Sequence, residues 1–291
     1  MTVNTTDADG RLLVPIANAE AAERQLPTAI DVATDRNLEI ILCYVLDVPP
    51  QLSLQDGKEY LLEDEDETML ADAMEVVESA GVPAERRIRI ARGVAAGILS
   101  SIEAYDADAV FMGWRGRPPR EDRVLGGYLD TVLKKATCDV LVERIKTPRP
   151  ESIDSVLVPV AGGPHDAFAT EVAGATARQH DASVQLVHVM ATDDPELSRR
   201  DAETLLRQAT GSLEGVSSIE RVIVERDDVA GAITDRTADH DVTFLGVSRG
   251  GVLERTLLGT VSEAVGRHAA GSVVLAKRYE PVSSRFKRLL P

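Results

Sequence analysis

FLGVSRGGVLERTLLGTVSEAV, residues Phe244 to Val265, reads as the end of a buried strand, a Gly-rich loop and the start of a helix. An earlier stretch, FMGWRGRPPREDRVLGGYLDTV from Phe111 to Val132, aligns with it without a gap. In both, one Gly closes the apolar run (Gly113, Gly246) and another opens the helix (Gly126, Gly259), at the same spacing. Two copies of one uncommon loop in one register imply two copies of one domain. Such a loop turns backbone N–H groups outward, and the helix dipole favours negative charge, so each copy is a candidate anion site.

Outward from these loops the chain repeats throughout. SVLVPVAGG (Ser155 to Gly163) matches RLLVPIANA (Arg11 to Ala19), and VLAKRY matches VLVERI at the end. Short apolar runs suited to buried strands alternate with stretches of helical period: Arg11 to Ile16 then Glu20 to Arg36, Glu39 to Leu46 then Lys58 to Ala80. Pro27 predicts a kink or a late start in the first helix. The acidic run 63–67 is read as a solvated face of one long helix. KTPRPESI, 146–153, has two prolines and no period and is read as a linker. The expected division is 1–145, linker 146–153, 154–278, and a basic tail 279–291. Alternating strands and helices predict a parallel sheet in each copy with right-handed crossovers, and a crevice where strand order reverses.

With 291 residues, two domains is the natural expectation. Aromatics are scarce at 3%, so Val, Leu, Ile and Ala must fill the core, as in sheets covered on both faces. The net charge is −16 and Lys is rare. That surface argues against a nucleic-acid groove and fits a halophilic, cytoplasmic protein. The two cysteines, Cys43 and Cys138, lie in apolar runs and suggest neither disulfide nor metal.

The repeated unit resembles the universal stress protein domain. Nucleotide-binding members of that family carry Gly, two residues, Gly, nine residues, Gly, then Ser or Thr. Gly113, Gly116 and Gly126 fit, with Gly127 at the hydroxyl position; Gly246 and Gly259-Thr260 fit, with Arg249 replacing the middle Gly. The resemblance implies two Rossmann-like α/β domains, each a five-stranded parallel sheet of order 3-2-1-4-5, with ATP or AMP as ligand. It also implies domain pairing through the last strands, Val140–Glu143 with Val273–Ala276 inside the chain, and a homodimer by the same strands. Family members that bind nucleotide usually carry an acid after strand one; here Ala17 and Ala161 stand there. GWRGR with VLGG, VAGGPH and VGRHAAGSVVLAKR are similar to paired stress modules of halophilic archaea, some fused behind amino-acid permeases. That likeness implies a membrane transporter as partner.

Individual residues admit two readings each. Thr260 opens TVSE, a capping box, and its hydroxyl could also touch a phosphate. Arg115 and Arg249 suit phosphate, or pair with surface acids. Trp114 could stack on a base, or pack against the sheet end or the neighbouring domain. His165-Asp166 reads as polar residues at a helix start, and His188 as structural. No set of acid, base and metal ligands emerges, so an enzyme is not expected. With three glycines in register, the first copy is the first place to look for a ligand.

Overall fold

The computed structural model describes residues 8–115, 125, 127–144, 149–191, 198–247 and 260–281. Ten strands form one continuous sheet in the order β3-β2-β1-β4-β5-β10-β9-β6-β7-β8. The first domain contributes β1 (Gly10–Pro15), β2 (Leu38–Asp47), β3 (Ala84–Ala91), β4 (Ala109–Trp114) and β5 (Asp139–Arg144). The second repeats them as β6 (Ser155–Pro159), β7 (Ser183–Met190), β8 (Ser218–Glu225), β9 (Val242–Gly246) and β10 (Ser272–Lys277). Each half is parallel with strand order 3-2-1-4-5, as the family resemblance implied.

The central strands are apolar on both faces because both faces are covered. Residues of α1 (Ala19–Asp35), α3 (Asp64–Ser79), α6 (Pro164–His180) and α7 (Arg199–Thr210) join one core. Residues of α4 (Val94–Ala104), α5 (Gly127–Lys135), α8 (Val229–Arg236) and α9 (Thr260–His268) join the other. The outermost strands, β3 and β8, are rich in Arg and Glu, which discourages pairing with another chain.

One expectation needs correction and a second is narrowed. The acidic stretch is not one helix: α2 (Leu54–Leu61) ends, and Glu63 begins α3 in a reciprocal capping arrangement with Asp66. The acids 63–67 therefore cluster where a helix N-terminus favours negative charge, rather than along a face. The helix α1 runs through Pro27 from Ala19, so of the two outcomes expected there, a kink or a late start, the late start does not occur.

The two domains join by their last strands. Val274 faces Glu143, Leu275 faces Val142, Ala276 faces Leu141 and Lys277 faces Val140, antiparallel. Because β5 has β4 on its other side and β10 has β9, neither keeps an open edge. The edges that a homodimer through the last strands would use are thus paired with each other inside the chain. Further contacts lock the halves. Arg144, only 5% exposed, donates to the carbonyls of Gly266, Arg267, Ala269 and Gly271, capping the end of α9 from the other domain. Arg178 of α6 forks onto Asp35 of α1 at 2.7 Å through two nitrogens. The described part of the linker is packed: Arg149 pairs with Asp31 at 2.7 Å and Ile153 is fully buried.

Candidate crevice of the second domain

Strand order in the second domain reverses between β9 and β6. The chain leaves β6 through Val160 to Gly163 and enters α6 at Pro164. Gly162 (φ +100°) and Gly163 (φ +102°) take backbone conformations that side chains resist, which turns the chain sharply. The turn leaves the amides of Ala161 and Gly162 pointing one way, and Asp166 Oδ2 accepts both at 2.8 Å. An anion thus occupies this turn, and it is the protein's own carboxylate. Burial pushes the Asp166 carboxyl up from its ordinary value, while the two amides and the nearby His188 pull it back.

Gly246, at the end of β9, lies against that carboxylate. A Cβ there would stand 2.1 Å from Asp166 Oδ1 and 2.7 Å from the Asp166 amide nitrogen. The close of the apolar run in Gly is therefore a requirement of packing against α6. Ser262, from the first turn of α9, donates to the Gly246 carbonyl at 3.1 Å and ties that helix to the strand end.

These elements enclose a cavity of about 390 Å³. Its walls are largely apolar, including Val160, Val187, Val189, Ile233, Leu245 and Val261. The polar side chains on it are His165, Asp166, His188, Ser262 and Glu280. His188, at the C-terminal end of β7, is 5% exposed. Its Nδ1 lies 2.6 Å from the Val160 carbonyl, and its Nε2 is buried with no hydrogen-bond partner among the described residues.

In the first domain, the corresponding turn is closed differently. Asn18 caps α1 by accepting from the Ala21 amide at 2.9 Å. Arg115 donates to Asn18 Oδ1 at 2.9 Å and to Glu20 Oε2 at 3.1 Å, at a solvent-exposed position. Of its two expected roles, Arg115 takes the ion pair, with Glu20 rather than a loop acid. Gly113 lies in β4, Gly127 opens α5, and Thr260 opens α9. Gly116, Gly126, Arg249 and Gly259 lie outside the described residues. Trp114 is 4% exposed and belongs to the core, with Gly266 of the second domain against its ring, so it offers no face to a base.

The residues that shape the crevice include two that sequence reading took as structural, Asp166 and His188. An acid in the first helical turn after Gly-Gly-Pro signals a side chain that reaches back to turn amides. A histidine near the C-terminal end of a strand beside the reversal point signals a crevice.

A doubly wound domain, repeated and joined edge to edge, with a crevice at strand reversal, defines the class. The universal stress protein family model matches residues 10–144 and again 152–277, and the chain belongs to that family. Among its relatives, Universal stress protein MJ0531 of Methanocaldococcus jannaschii is 28% identical over 147 residues, 48% of this chain and 84% of that protein. A universal stress protein from Archaeoglobus fulgidus superposes over 94% of this chain and 98% of its own, with TM-score 0.69 and 19% identity. The cytoplasmic domain of a prokaryotic cation chloride cotransporter superposes over 97% and 99%, with TM-score 0.58 and 12% identity. At those identities the two structures show a shared fold. Among the described residues no helix is long and apolar enough to cross a membrane.

Proposed function

We propose that this protein is a non-enzymatic, cytoplasmic regulatory module that holds a nucleotide, AMP or ATP, in the crevice of its second domain. The observation that carries the reading is the 390 Å³ cavity at the strand reversal of β6 and β9. Its size and apolar walls with a few convergent polar groups suit a base and sugar. In the sequence the second copy keeps Gly246 and Gly259-Thr260 of the pattern that nucleotide-binding members of the family carry, which supports a phosphate-bearing ligand. Calorimetry with MgATP, ADP and AMP at high salt tests this. Heat and a raised melting temperature are expected. Their absence up to millimolar ligand overturns the reading. Val189→Trp, which fills the cavity, should abolish the heat in a folded protein.

A second reading is regulation of a membrane transporter. The supporting observation is that the same two-domain fold serves as the cytoplasmic domain of a cation chloride cotransporter. Co-purification from membrane extracts tests it, and recovery of the chain alone under gentle conditions counts against it.

A further inference from the structure

We propose that His188 Nε2 is the acceptor that selects the ligand of the second crevice, by taking a hydrogen bond from an amino group on the edge of its base. This rests on the nucleotide reading above and names the residue that would set base specificity.

The Val160 carbonyl can only accept, so the contact at 2.6 Å requires the proton of His188 on Nδ1. In the neutral ring Nε2 then presents a lone pair. That lone pair is buried, on the wall of the cavity, and no described residue donates to it. A buried acceptor without a donor is costly in apolar surroundings, and among the described residues none supplies one, so a donor from the ligand would complete the site. The orientation is held: Nδ1 is anchored to the turn after β6, and the strand β7 is paired on both sides by β6 and β8. Of the neighbouring side chains, His165 and Ser262 are polar and the two carboxyls agree in sign. Asp166 and Glu280 are acids, and no Lys or Arg lines the cavity among the described residues. The cavity therefore favours an uncharged, donor-bearing ring, and any phosphates must lie beyond its rim. Val and Ile walls suit such a flat ring and contribute no competing donor.

The test uses the full chain and two probes that differ by one amino group: AMP and purine riboside 5′-monophosphate. Calorimetry is run on the wild type and on His188→Asn, whose amide can still donate to Val160 but cannot reach the Nε2 position. The wild type should bind AMP about tenfold more tightly than the analogue. In His188→Asn the two should bind alike, with AMP weakened to the level of the analogue. Equal wild-type affinities overturn the role of His188 and leave the nucleotide reading standing. A preference that persists in His188→Asn, or one favouring the analogue, overturns it too. If neither probe binds the wild type, both readings fall. The wild-type comparison needs no variant, so it decides even where His188→Asn does not fold.

Discussion

Asp166 occupies the space that a side chain at position 246 would need: a Cβ on Gly246 would lie 2.1 Å from its Oδ1. The nearest other atoms are backbone, so the clash cannot be relieved by a rotamer change alone. Gly246→Ala should therefore destabilise the protein by about 2 kcal/mol and displace Asp166 from the Ala161 and Gly162 amides. Denaturant unfolding measures the first effect. Faster hydrogen exchange at those two amides reports the second, and unchanged exchange would contradict it.

Glu143 is 1% exposed, and its Oε1 accepts from Thr28 at 3.1 Å and from Ser272 at 3.0 Å, bridging the two domains. Burial raises its carboxyl to about 7, against the pull of Arg149, Ser272 and Thr28. A folded value above the unfolded one means the native state binds the proton more tightly. The stability that this proton confers is complete below about 4.5 and is lost as pH rises through about 7. Relative to Glu143→Gln, the wild type should lose on the order of 3 kcal/mol across that window. Unfolding free energies of the two proteins at several pH values check this, and parallel curves would refute it.

Arg144 donates to four carbonyls at and beyond the end of α9. Arg144→Ala should cost about 2–3 kcal/mol, since a charged donor is lost and buried carbonyls go unpaired. Arg144→Lys should recover little of this, because an ammonium lacks the planar fork. Thermal unfolding of the three proteins decides it, and full rescue by Lys would be the contrary result.

Arg115 is tied to Asn18 and Glu20, its side chain being 42% exposed and that of Glu20 52%. Such a pair contributes less than about 1 kcal/mol. Arg115→Ala should leave both stability and nucleotide affinity close to the wild type. A tenfold loss of AMP affinity would place the ligand in the first domain.

Much of the fold was legible in the chain because its signals are local or repeated. Apolar runs with helical stretches between them marked the strands, and the duplicated Gly loop marked two domains. The pairing of Val140–Glu143 with Val273–Ala276 followed from the family likeness and is present in the sheet. The long acidic helix was misread because capping by Glu63 depends on which acids meet backbone amides, which periodicity does not report. Trp114 was left open between a ligand and the neighbouring domain; the close approach of Gly266 decides for the domain.

The sequence alone determined two α/β halves through the alternation of elements, and its likeness to a family implied the strand order that fixes where each crevice falls. Only the tertiary structure decided what fills them. Asp166 closing its own turn, Arg115 spent on Glu20, and His188 facing a cavity all depend on side-chain direction and on contacts between distant segments. Residue type and spacing carry no record of either, because a hydrogen bond is set by positions in space that many packed elements fix together.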